Sequence, residues 1–84
     1  MKPHVVEWDD EATRMLADIF LRTSNPNVLW PAQACADRQL EQHPQAAGVE
    51  LSEGLWQIIE PPLKIFYEID ETKRLVTVTH VQLI

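Results

Sequence analysis

The chain has 84 residues, 13 of them acidic and 7 basic, which gives a formal net charge of −6. A chain of this length forms one domain with a thin core, because it buries only about 60–65% of the surface that its unfolded state exposes. No segment is apolar over the ~18 residues that a membrane span needs. Acidic residues follow Trp8, where a signal peptide would have its apolar run. We therefore expect a single cytoplasmic domain over residues 1–84 that does not enter a membrane.

The acidic charge also bears on possible partners. Proteins that bind RNA or DNA usually neutralise phosphates with Lys and Arg side chains. Here the basic residues are scattered along the chain, and only Lys73 and Arg74 are adjacent. We expect nucleic acid to repel this chain at long range.

The first third of the chain predicts a strand followed by a helix. His4–Trp8 alternates weakly between apolar and polar residues, which is typical of a short strand. Asp9 or Asp10 can then cap a helix by accepting hydrogen bonds from its first backbone amides. Apolar residues follow at helical spacing on one face: Ala12, Leu16, Ile19 and Phe20. Because the segment 23–27 is rich in turn residues, we expect this helix to end near Thr23.

A second helix is predicted from Val28 or Pro31 to His43. Pro31 is tolerated if it lies in the first turn, where its missing N–H is no loss. The apolar face consists of small residues and one leucine: Ala32, Cys35, Ala36 and Leu40. We expect Cys35 to be buried, and the alanines to let this helix approach the first one in an αα-hairpin. Pro44 ends the helix, and residues 45–48 are expected to form a loop.

The last third predicts three antiparallel strands, over residues 54–60, 63–70 and 75–81. In the middle strand one set of side chains should face the helices: Leu63, Ile65, Tyr67 and Ile69. The alternate set should face outward: Lys64, Phe66, Glu68 and Asp70. The final strand changes phase, which indicates a bulge near Thr79 and His80 or a strand covered on both faces. The expected fold is α+β, β-α-α-β-β-β, with the αα-hairpin on a mostly antiparallel sheet.

Together these segments resemble the RelE/ParE superfamily of toxin-like proteins from bacterial toxin–antitoxin modules, which includes plasmid stabilisation proteins. The resemblance lies in Trp8 ahead of Ala12 and Leu16, in Leu40 before Pro44 and Gly48, in Gly54-Leu55-Trp56-Gln57-Ile58, and in Pro62-Leu63-Lys64-Ile65-Phe66-Tyr67-Glu68-Ile69. It covers nearly the whole chain. It implies a toxin that inhibits growth through translation, by mRNA cleavage on the ribosome, or through gyrase. It also implies an antitoxin partner that covers the groove and the sheet edge.

Two residues are the catalytic candidates that the resemblance implies. Ribosome-dependent nucleases of the family need a base for the ribose 2′-hydroxyl and a cation for the charge that develops on the phosphate. Lys64 stands where the family's strand arginine is expected and keeps the charge without the bidentate fork. His80 is the only histidine on a strand near the C-terminus, and imidazole can exchange protons near neutral pH. An active protein of this kind would be a ribosome-dependent endoribonuclease.

An alternative interpretation is a catalytically inert interaction module that keeps the toxin fold. The strand before Lys64 offers Gln57 and Glu60 where nuclease members tend to be basic, and the acidic charge favours the same interpretation. Under either interpretation the apolar C-terminal strand and the outward Phe66 predict pairing at the sheet edge, in a homodimer or with a partner peptide.

Other side chains predict structure and not chemistry. His4 and His43 lack further ligands at metal-binding spacing, so we expect no metal and no cofactor. The three tryptophans, Trp8, Trp30 and Trp56, are expected to anchor the core.

Overall fold

The computed structural model describes residues 3–84, so Met1 and Lys2 lie outside the described residues. Its elements are β1 (Val5–Trp8), α1 (Asp10–Arg22), α2 (Pro26–Gln42), α3 (Pro44–Ala47), β2 (Val49–Ser52), β3 (Leu55–Glu60), β4 (Leu63–Asp70) and β5 (Leu75–Leu83). The strands form one sheet in the order β1-β5-β4-β3-β2. β1 is parallel to β5, and all other neighbouring strands are antiparallel. The predicted α+β fold, with helices on a mostly antiparallel sheet, is confirmed.

Helix α1 begins and ends as its sequence predicts. The Asp9 carboxylate caps the helix by accepting a hydrogen bond of 2.8 Å from the backbone N–H of Ala12. Arg22 in the last turn suits the negative end of the helix dipole. Thr23 is already extended, and its N–H bonds the carbonyl of Ile19. Ala12 and Ile19 are the buried residues of this helix.

Helix α2 begins earlier than expected, at Pro26, because a proline at the first helical position costs no hydrogen bond. Pro31 therefore lies inside the helix, not in its first turn. Trp30 is 60% exposed, so its predicted role as a core anchor is wrong. It lies about 100° around the helix from the buried Leu29. Cys35 is only partly buried, contrary to expectation. Within residues 3–84, no helix combines the length and hydrophobicity that crossing a membrane requires.

The segment between α2 and β3 contains two elements that were not predicted. Residues 44–47 form a helical turn where a loop was expected, and Val49–Ser52 adds a strand at one edge of the sheet. Its sequence, Val49-Glu50-Leu51-Ser52, alternates between apolar and polar residues, but all four residues are exposed, so this alternation does not mark a buried face. The element order is therefore β-α-α-α-β-β-β-β.

Tyr67 joins this crossing segment to the sheet. Its buried hydroxyl donates a hydrogen bond of 2.6 Å to the carbonyl oxygen of Pro44. A Cβ atom at Gly48 would overlap both that hydroxyl and the carbonyl oxygen of Gln57. Gly48 is therefore required because the chain passes too close to the sheet for a side chain.

The two longest strands, β4 and β5, form the centre of the core. As predicted, the inward side chains of β4 face the core: Leu63, Ile65 and Tyr67 are buried and Ile69 is partly buried. Three of them pair with the buried valines of β5, Ile65 with Val81, Tyr67 with Val78 and Ile69 with Val76. Phe66 pairs with His80, but the next residue, Tyr67, pairs with Val78. Thr79 is therefore an extra residue on β5. The predicted bulge near Thr79 and His80 is confirmed. The bulge lets the valines before and after it face the same core.

Candidate functional site on the open face of the sheet

The helices cover one face of the sheet and leave the other open. Strand pairing places alternate residues of three strands side by side on the open face: Leu55, Gln57 and Ile59 of β3, Lys64, Phe66 and Glu68 of β4, and Thr77, His80 and Gln82 of β5. Phe66 pairs directly with His80, and Lys64 pairs with Gln82. The two candidate residues, Lys64 and His80, therefore share this face.

The ring of Phe66 contacts both candidates. The Nζ atom of Lys64 is 5.5 Å from the centroid of the Phe66 ring, within range of a cation–π attraction. The imidazole of His80 meets the same ring edge-on, with 5.4 Å between ring centroids. Beside them lies a depression of about 360 Å³, lined by Leu55, Phe66, Thr79, His80 and Gln82. The ammonium and the imidazole thus share contact with one half-buried aromatic ring.

The chemistry of this group follows from its three side chains. Imidazole can take up or release a proton near neutral pH, an ammonium stabilises anionic charge, and an aromatic ring can stack on a nucleobase. Within residues 3–84, neither Lys64 nor His80 makes a hydrogen bond or an ion pair, so both side chains are available to a ligand. No carboxylate in that range holds the imidazole in one tautomer.

The other end of the open face is acidic. A cleft of about 560 Å³, here called the acidic cleft, lies where the sheet meets the β2–β3 and β4–β5 turns. It is lined by Glu53, Gly54, Leu55, Glu68, Ile69, Asp70, Glu71, Leu75 and Thr77. Lys64 and Glu68 lie about 13 Å apart along β4 at ~3.3 Å per residue. The open face therefore has a cationic end and an acidic end.

Several polar residues away from this face have structural roles. Burial raises the pKa of Tyr67 to about 12, so this phenol stays protonated and is bonded to Pro44. Glu60 accepts a hydrogen bond of 3.0 Å from the Gln39 amide. The buried His4 lies 3.2 Å from the Glu71 carboxylate. Among residues 3–84, no group of three or more His, Cys, Asp or Glu side chains is arranged to hold a metal ion.

Asp37 and Trp8 join α2 to the first strand. The indole N–H of Trp8 donates a hydrogen bond of 3.0 Å to the Asp37 carboxylate. Burial raises the pKa of Asp37, the Trp8 hydrogen bond lowers it, and the nearby charge of Glu41 raises it, with a net upward shift. This pair therefore holds a helix against the sheet and lies apart from the open face.

Comparison with known proteins bears on the fold. No protein-family model matches the chain, and no curated protein matches it in sequence. A solved structure that is similar is the crystal structure of the toxin–antitoxin complex RelBE2 from Mycobacterium tuberculosis, with a TM-score of 0.83 at 22% sequence identity. The match covers 100% of this chain and 94% of that chain. Identity at this level shows the fold alone, so this chain shares its fold with a chain of that toxin–antitoxin complex.

Proposed function

We propose that this protein is the toxin component of a bacterial toxin–antitoxin module and that it inhibits growth through the open face of its sheet. The similarity of its fold to a chain of a toxin–antitoxin complex supports the module. The observation that carries the choice of surface is the contact of both Lys64 and His80 with the Phe66 ring. An antitoxin that covers this face would neutralise the protein.

Within this proposal, cleavage of mRNA during translation is the activity that the three side chains support best. His80 takes the proton of a ribose 2′-hydroxyl while the oxygen of that hydroxyl attacks the adjacent phosphorus. Lys64 stabilises the negative charge that develops on the phosphate oxygens. Phe66 offers a ring on which a neighbouring base stacks. The 5′-oxygen leaves and takes a proton from solvent, so the reaction needs neither a metal nor a cofactor.

A second candidate is the inert interaction module, which the charge of this chain favours. The acidic cleft lies on the same face as Lys64 and repels a phosphate backbone. A toxin that blocks gyrase is a third version, because blocking needs a binding surface but no catalytic group. These three versions differ in whether growth stops and in whether arrest depends on Lys64 and His80.

Induction of the protein in a bacterial host, with mapping of mRNA 5′ ends, separates the three. The variants are Lys64→Ala and His80→Ala, and each has a control of the same residue type at an exposed site, Lys73→Ala or His43→Ala. Arrest with new 5′ ends that both site variants abolish supports the nuclease. Arrest that survives both variants, without new ends, supports target blocking. A folded protein that leaves growth unchanged would contradict the toxin and leave the interaction module.

A further inference from the structure

We propose that the acidic cleft docks a basic segment of the antitoxin, in which arginine or lysine side chains alternate with apolar ones. This inference rests on the proposed function, because it assigns a chemistry to the antitoxin. The acidic cleft is at the end of the open face that does not contain Lys64 or His80.

The walls of the cleft suit a long cationic side chain. Leu55 and Leu75 are half-buried and form an apolar floor, while the carboxylates of Glu53, Glu68 and Asp70 stand around it. Arginine and lysine carry an aliphatic stem that covers apolar surface and a charged head that bonds carboxylates. An apolar residue beside them would cover the rest of the floor.

Of the four carboxylates that line the cleft, only that of Glu71 has side-chain partners within residues 3–84: His4 Nε2 lies 3.2 Å from it, and the Gln45 amide donates a hydrogen bond of 3.4 Å to it. Glu53 and Glu68 make no hydrogen bond and no ion pair in that part of the chain. Asp70 accepts one hydrogen bond, of 3.1 Å, from the backbone N–H of Lys73. No Lys or Arg of the described residues lines the cleft. Neighbouring like charges repel one another, so a cationic partner is favoured here, and the net charge of −6 would steer it in.

The cleft is continuous with the catalytic candidates, because Leu55 lines both the acidic cleft and the depression at Phe66. A segment held in the cleft can run on across Leu55 and Phe66. The segment would then cover Lys64 and His80, while its basic side chains stay in the acidic cleft. Docking at the acidic end thus explains how a basic antitoxin would block a face whose other end is cationic.

The test measures binding of two short labelled peptides to the purified full chain by fluorescence anisotropy. One peptide alternates arginine with leucine, and the other has glutamate in place of every arginine. The site variant is Glu53→Gln/Glu68→Gln, which removes two unpaired carboxylates. The control, Asp10→Asn/Glu11→Gln in the first turn of α1, makes the same change in net charge far from the cleft. Circular dichroism establishes that both variants are folded.

We expect the arginine peptide to bind and the glutamate peptide not to bind. The site variant should weaken binding roughly three- to tenfold, as expected for two exposed ion pairs. The control variant should change binding less than about twofold, because Asp10 and Glu11 lie on a helix that covers the opposite face.

Three results would overturn the docking site: no binding of the arginine peptide, equal binding of the glutamate peptide, or equal weakening by both variants. Growth arrest, measured separately, keeps the two proposals distinct. Cleft-specific binding by a protein that does not arrest growth would overturn the proposed function and leave the docking surface standing. Arrest combined with binding that ignores the cleft would overturn the docking surface alone.

Discussion

Removing the hydroxyl group of Tyr67 should lower the free energy of unfolding by about 2 kcal/mol at neutral pH. The side chain is fully buried, and its hydroxyl donates the hydrogen bond of 2.6 Å to Pro44. Tyr67→Phe keeps the ring and leaves a buried carbonyl without that donor, a change that costs about 1–3 kcal/mol. In a chain of this size, 2 kcal/mol corresponds to a fall in Tm of roughly 8–16 °C.

The same hydroxyl makes stability depend on pH at the alkaline end. Burial raises the pKa of Tyr67 from 10.0 to about 12. As the pH rises above 10, the unfolded state loses this proton first, so the folded state binds more protons and stability falls until the folded pKa is passed. A shift of this size corresponds to a loss of about 2–3 kcal/mol. The Phe variant lacks this loss, so the two free energies of unfolding should converge as the pH approaches 12.

Two measurements check this reasoning. Urea unfolding of wild type and Tyr67→Phe across pH 7–11, followed by tryptophan fluorescence, gives the difference between their free energies of unfolding. The lysines titrate in both proteins, so their effect cancels in this difference. Tyr67 is the only tyrosine, so tyrosinate absorbance reports its ionisation alone in the folded protein and in urea. A difference below about 0.5 kcal/mol at pH 7, or ionisation of the folded protein near pH 10, would refute the argument.

Four further substitutions are expected to act through packing and charge. Gly48→Ala should destabilise the protein by roughly 1–3 kcal/mol, because the new methyl group overlaps the Tyr67 hydroxyl; a variant as stable as wild type in urea would contradict the close approach. Leu40→Ala should cost about 2–5 kcal/mol, because Leu40 is fully buried. Trp30→Ala should cost about 1 kcal/mol, because Trp30 is 60% exposed and packs on the Phe20 ring. Thermal unfolding that shows the reverse order would contradict the burial. Burial holds the pKa of Asp37 above its ordinary value, so the stability from this group falls as the pH rises through that pKa. Asp37→Asn lacks this loss, so the Tm of the variant minus the Tm of wild type should be larger at pH 7 than at pH 4. The same Tm difference at both pH values would contradict the raised pKa.

The sequence predicted the sheet well where burial follows a simple period. Alternation along β4 placed Tyr67 in the core and Lys64 outside, and the change of phase along β5 indicated a bulge near Thr79 and His80, or a strand covered on both faces. β2 was missed although Val49–Ser52 alternates between apolar and polar residues, because four residues are at the lower limit of a recognisable alternation. Trp30 was assigned to the core by residue type, whereas the helical period around Leu29 places it on the surface.

The candidate site was predicted in part. Lys64 and His80 followed from the resemblance, but their common face depends on the register of β4 and β5, which the bulge sets. The acidic cleft was not predicted, because its carboxylates come from two turns and a strand that are distant in sequence. Glu53 and Glu68 meet only once β3 is paired with β4. Whether the candidate residues carry catalysis stays a prediction.

Growth on induction of Phe66→Glu tests most directly the claim that the open face is the functional surface. The substitution places a carboxylate next to Lys64 and His80, on a side chain that points away from the core. Trp30→Glu is the control, because it adds the same charge at an exposed aromatic residue of α2, in the helical layer. The account predicts that the wild type and Trp30→Glu arrest growth and that folded Phe66→Glu does not. Arrest by Phe66→Glu as strong as that of the wild type would contradict it.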